Sequence, residues 1–223
     1  MVIPALQSLS SGGRIMLDKN NSEEQFRAVD AWLREYVGVA DPRVGRSGPV
    51  CPFIPRALKE RAVETRMRYD IDGASEAELI DELRAEINDF GTSAHSKSNS
   101  GVRLDSRVIV MPRMEPAGWE RLDAAYEQLK HSAVESGKMI GKFHPRCDDR
   151  AVRNSGFRVS VAPVAMLAIR HMAPHDILFL RDSERWFREY DSRFGSHYQR
   201  NQIRDSLLRT LYSDARDRHY SST

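Results

Sequence analysis

The sequence predicts an α+β fold: a small sheet of about three or more strands, helices packed on it, and a helical C-terminal part. Three observations predict it. Short apolar runs at 67–71, 107–111 and 139–143 alternate with stretches whose apolar residues recur at helical spacing. Beyond residue 183 the apolar residues recur only at helical spacing. The chain has 223 residues, enough for one sizeable core and short for two full domains. A single domain over 22–215 is therefore expected, with flexible ends at 1–21 and 216–223.

The first twenty residues carry Ser8, Ser10, Ser11, Gly12 and Gly13 and bury little apolar surface. Ser22 and Gln25 have capping-box spacing, and Phe26, Val29, Leu33, Tyr36 and Val37 form one stripe, which predicts a helix over 23–37. Four prolines and two glycines between Asp41 and Pro55 predict a shaped loop. A short helix over 56–64 and a strand over 67–71 follow. Ser75 and Glu78 form a second capping box ahead of Leu79, Leu83, Ile87 and Phe90, which predicts a helix over 76–90. Ser, Gly and Asn dominate 91–101, a loop expected to be mobile.

Val108-Ile109-Val110-Met111 reads as a buried strand ended by Pro112. Trp119, Leu122, Tyr126 and Leu129 predict a helix over 117–134, and Met139–Phe143 a strand that delivers His144. A sheet with helices on one face is the arrangement this order suggests. The stretch 163–172 reads as helical, ending near His171–Ala173 because Pro174 would clash with the preceding turn. Trp186, Tyr190 and Phe194, then Ile203, Leu207 and Leu211, predict two more helices over 183–215.

Composition narrows the function. The 34 basic and 32 acidic side chains leave a net charge of +2, so neither nucleic acid nor a membrane surface is an expected partner. No run of 18 apolar residues exists, the N-terminus lacks the pattern of a secretory signal, and the two cysteines, Cys51 and Cys147, are expected as free thiols. A cytoplasmic location follows as an expectation. Phosphate-binding loops, dinucleotide-binding glycine fingerprints, nucleophile elbows, paired CxxC and HExxH motifs are all missing, which disfavours nucleotide hydrolysis and nicotinamide chemistry.

The remaining chemistry concentrates between Phe143 and Leu180. His171 and His175 have the spacing that stacks two imidazoles on one helix face, but Pro174 interrupts it. Asp176 either caps the next element or orients His171. His144 and Cys147 are two candidate metal ligands that make no complete zinc site unless Cys51 joins them; otherwise they pack as ordinary interior residues. Arg146, Arg150, Arg153, Arg158 and Arg170 are either solvated or a clamp for carboxylates.

Gly48-Pro49-Val50-Cys51-Pro52-Phe53-Ile54-Pro55, taken with Met139–Pro145 and with Leu167-Ala168-Ile169-Arg170-His171-Met172, Asp176 and Phe179-Leu180, resembles a family of small bacterial proteins found near natural-product biosynthesis genes. That group is associated with haem-dependent amino-acid N-oxygenases of cycloserine- and hormaomycin-type pathways, which oxidise the side-chain nitrogen of arginine or lysine. The resemblance spans about residues 48–182. It departs from the family near Val159–Pro163, where a Ser-Pro pair is expected and the chain reads Ser160-Val161-Ala162-Pro163; the family carries Tyr or His at the position of His144.

The resemblance implies haem b with His171 as axial iron ligand. Arg170 and Arg158 would meet the propionates, and Met172 and Phe179, with Met166, Leu167 and Ile169, would line the slot. His144 and Asp176 would serve catalysis. The partners implied are an amino-acid substrate and molecular oxygen or peroxide, and a homodimer is compatible with the reading. Two rivals stay open: a non-haem metalloenzyme using His144, His171, His175 and Asp176, and a non-catalytic small-molecule-binding accessory protein.

Overall fold

The computed structural model describes residues 21–91 and 103–220. The expectations for 1–20, for the loop beyond Gly91 and for the last three residues lie outside them.

Among the described residues, seven α-helices and six strands build an α+β fold. In chain order they are α1 (Ser22–Trp32), α2 (Ile54–Lys59), β1 (Val63–Met67), α3 (Glu76–Asp89), β2 (Ser106–Met111), α4 (Pro116–Glu135), β3 (Lys138–Phe143), β4 (Arg150–Ala151), β5 (Asn154–Arg158), β6 (Ala165–His171), α5 (Ile177–Leu180), α6 (Glu184–Gln199) and α7 (Ser206–Tyr220). The Ser75–Glu78 capping box forms as expected, and α3 follows it. The first helix starts one residue earlier than its apparent box: Asn21 caps it by accepting the Glu24 N–H. Its last turn, Leu33–Val37, winds as a π-helix. The first strand is Val63–Met67 rather than 67–71, because α2 ends at Lys59 and leaves Val63 free to pair.

The main sheet has the order β1-β2-β6-β3; β1 and β2 are parallel, and β6 is antiparallel to both neighbours. β2 and β3 therefore run the same way, with β6 inserted between them. This overturns the helical reading of 163–172. Ala165–Ile169 is an unbroken apolar run, and such a run fits a strand buried on both faces as well as it fits a helix. Pairing on both edges decides the matter, and His171 ends a central strand instead of a helix.

The sheet is also covered on both faces, not one. Ile109, Met111, Leu167 and Ile169 pack against Leu79, Leu83 and Ile87 of α3 and Leu122 and Leu129 of α4. The alternate residues Val108, Val110 and Met166 pack against Val29, Trp32, Leu33 and Val37. All six residues of β2 are buried, the pattern expected of a strand with no solvated face. Trp32 Nε1 and the Tyr36 hydroxyl donate to the carbonyls of Val161 (2.9 Å) and Val159 (2.9 Å), tying the first helix to the segment before β6.

At one edge Glu86 accepts from Arg66 (2.9 Å), Arg68 (2.9 Å) and Arg107 (3.0 Å), joining α3 to β1 and β2. The C-terminal helices enclose a second core of Ile177, Leu180, Phe187, Tyr190, Tyr198 and Tyr212. There the Tyr198 and Tyr212 rings stack at 3.9 Å. The inward face of α7 is Leu208, Leu211, Tyr212 and Ala215, one step round from the Leu207–Leu211 spacing, and α7 runs on to Tyr220.

Candidate functional site

β3 separates two groups of chemistry-bearing residues. Its first residue, Lys138, pairs with His171, and His144 follows its last. Six residues at about 3.3 Å each put the two histidines about 20 Å apart, at opposite ends of the sheet. A single centre using His144 together with His171, His175 and Asp176 is therefore not assembled. The same separation removes His144 from any site on His171.

At the His171 end, a cavity of ≈ 420 Å³ is lined by Phe90, Arg103, Lys138, His171, Met172 and Arg193, among others. Three cations thus share one small space. Burial, then Arg103 and Lys138, lower the His171 pKa to about 4, so the imidazole is neutral at ordinary pH. Burial, then Arg107 and Arg103, also lower the Lys138 ammonium. Lys138 donates to the Ile87 carbonyl, and Arg193 reaches Glu189 Oε2 (2.6 Å) and the Glu135 carbonyl (2.7 Å). His171 Nε2 is buried with no hydrogen-bond partner. Its ring lies 4.9 Å from the Phe90 ring, and a Cβ on Gly91 would stand 3.1 Å from its Cε1.

The other residues assigned to a haem site lie elsewhere. Arg170 makes a two-pronged ion pair with Asp176 (2.7 and 2.5 Å), and Asp176, 0 % exposed, also accepts the Ala173 N–H (2.7 Å). Asp176 is thus a structural anchor for Arg170 and the turn at Pro174, and no bond joins it to His171. The His175 Nε2 lies 3.7 Å from Asp176. Arg158 is exposed on the β4–β5 hairpin, and Phe179 is 45 % exposed beyond β6. Met166, Leu167 and Ile169 are packed into the two faces of the sheet. Of the expected set, only His171 and Met172 share the cavity. Haem needs an accessible donor, an apolar slot and cations; the cations are present, but the donor is covered and the slot residues are committed to the core. As they stand, these residues do not fit a haem.

At the other end, the turn after β3 folds tightly: Cys147 N donates to the His144 carbonyl at 3.0 Å. This brings Cys147 beside His144, and α4 supplies Asp123, whose Oδ1 lies 3.1 Å from His144 Nε2 and 2.6 Å from Lys142 Nζ. Asp123, His144 and Cys147 each offer a donor atom within 4.8 Å of the others, and Cys51 is not among them. Asp123 fills the role that the sequence reading gave to Cys51. Cys51 packs instead against the cluster of Phe53, Ala57 and Leu104, and both cysteines are unpaired. Burial pushes the Cys147 thiol up to about 11, so a fully buried, protonated sulfur is no nucleophile.

Asp123 and the cavity cations Arg103, Lys138 and Arg193 were missed in the sequence. Lys142 and His144 alternate on one strand face and Trp119 and Asp123 are one helical turn apart, so half of the second cluster carried a period signal.

Residues 26–205 match DUF6875, described as a domain of unknown function. The chain belongs to this family. No curated protein and no solved structure matches. Among the described residues no helix is long and apolar enough to cross a membrane.

Proposed function

We propose that the protein binds a small anionic metabolite, a carboxylate or phosphate, in the cavity beside His171. The observation that carries this reading is the convergence of Arg103, Lys138 and Arg193 on one cavity of ≈ 420 Å³. His171 and Lys138 in this lining are both pushed down, by burial first and then by neighbouring cations, with Asp89 opposing the shift at Lys138 and Glu189 pairing Arg193; the positive charge left over is what an anion would relieve. A volume of this size suits a metabolite. Two free thiols support a cytoplasmic setting.

The test is thermal unfolding of the full chain with inorganic phosphate, succinate and citrate, each against chloride at equal ionic strength. A ligand at a hundred times its dissociation constant stabilises by about 2.7 kcal/mol, so a saturating ligand should raise Tm by several degrees. Lys138→Met should abolish the rise. A Tm that no anion moves sinks the reading.

A second reading, a haem-dependent amino-acid oxygenase, rests on one observation: the unpartnered Nε2 of His171. It requires Phe90 and Gly91 to give way. Hemin titration should then shift and sharpen the Soret band relative to free hemin, with saturation at one equivalent that His171→Ala loses, and a titration that matches free hemin removes it.

A further inference from the structure

We propose that Asp123, His144 and Cys147 form a binding site for a divalent metal ion of the zinc class, at the end of β3 opposite the His171 cavity. The donor set is one carboxylate, one imidazole and one sulfur, a mixture that suits Zn²⁺ or Co²⁺ and not the oxygen-seeking Mg²⁺ or Ca²⁺.

Four observations support it. The three donor atoms lie within 4.8 Å of one another. A tetrahedral zinc holds its ligand atoms about 3.5 Å apart, so contraction by about one ångström closes them round an ion. The side chain of His144 is only 4 % exposed, yet its Nδ1 has no partner; a buried, unsatisfied imidazole nitrogen calls for an explanation. The backbone frame exists already. The Cys147 N–H and the Ala162 N–H (3.3 Å) both donate to the His144 carbonyl, and the Trp119 ring stacks on the imidazole at 5.6 Å. Finally, a cation already occupies this place. Lys142 Nζ sits 2.6 Å from Asp123 and 3.4 Å from Asp149.

An incoming ion would take Asp123 from Lys142, and the ammonium would keep Asp149 as its partner. The Cys147 S–H bond breaks as the sulfur–metal bond forms, and its proton passes to the buffer. Asp123, 39 % exposed, leaves a side open for water as the fourth ligand. No electron is exchanged.

The experiment uses Co²⁺ on the full chain, stripped beforehand with a chelator. One equivalent should bind and give the near-ultraviolet absorption of thiolate-to-cobalt charge transfer, and Zn²⁺ should displace it. Cys147→Ser should abolish the band and Cys51→Ser should leave it intact. Because Cys147→Ser alters a buried position, Asp123→Asn provides the second arm: it changes a half-exposed side chain, should keep the circular dichroism spectrum, and should weaken Co²⁺ binding at least tenfold. Absence of the band in the wild-type chain overturns the proposal. So does a band that survives Cys147→Ser, or wild-type affinity in a folded Asp123→Asn. None of these outcomes bears on the His171 cavity.

Discussion

At the scale of single residues, burial sets the protonation state of His171. Its pKa is about 4 in the folded chain against 6.5 for an unperturbed imidazole, because burial and then Arg103 and Lys138 oppose a positive ring. Between pH 6.5 and 4 the unfolded chain takes up a proton that the folded chain refuses. Stability contributed by this group is thus fully present above the unfolded value and is lost as pH falls through that window. The ring is only half buried, so solvent screening holds the loss to about 1–2 kcal/mol. Urea midpoints of the wild type at pH 7.5 and pH 5, set against those of His171→Gln, check it. The variant should lose less stability on acidification, and an equal loss in both would contradict the assignment. That pH response was not legible in the sequence, since Lys138 meets His171 through the pairing of β3 with β6, and Arg103 precedes β2, which pairs with β6 along its other edge.

Elements are joined mainly by apolar faces, but α3 is also fastened by charge. Glu86 is a buried carboxylate on that helix, bonded to three guanidiniums from β1, the segment just after it, and β2. Removing one partner of such a group leaves the others uncompensated. Glu86→Ala should cost about 3–5 kcal/mol, seen as a lower urea midpoint with an unchanged slope. A change below 1 kcal/mol would mean that the guanidiniums are served by Glu64, Glu82 and Asp89 alone. The helix itself was readable, since Ser75 and Glu78 have the N-cap to N3 spacing of a capping box and the stripe follows directly. The central strand was not. Met166, Leu167, Ala168 and Ile169 are all apolar because one alternate set faces α1 and the other faces α3 and α4. Two buried faces erase the alternation that marks a strand.

At the scale of the whole molecule, two cores share the chain. The first is the sandwich of sheet and helices; the second lies between α5, α6 and α7. The family match stops at residue 205, immediately before α7. That helix covers Phe187 and Tyr190, and its Tyr212 hydroxyl donates to Asp191 of α6 at 2.5 Å. A chain ending at residue 205 should keep the sheet and its helices while exposing this second core. The expected outcome is retained secondary structure by circular dichroism, a lower Tm, and binding of a dye that reports exposed apolar surface. Loss of all cooperative unfolding would show instead that the two cores form one unit.

Helices α3, α4, α6 and α7, strands β2 and β3, and the α+β class were decided locally, by capping side chains and by apolar residues recurring at helical or strand spacing. These signals act over a few residues and survive in a linear reading. The role of β6, the covering of both sheet faces, and the grouping of side chains into sites were decided by tertiary structure. Lys138 meets His171 across 33 residues of chain, and Asp123 meets His144 across 21. Contacts over such separations depend on strand order and register, which no local period encodes. For that reason the sequence paired His144 with Cys147 but offered Cys51 in place of Asp123, and it set His144 and Asp176 beside His171, where the structure does not put them.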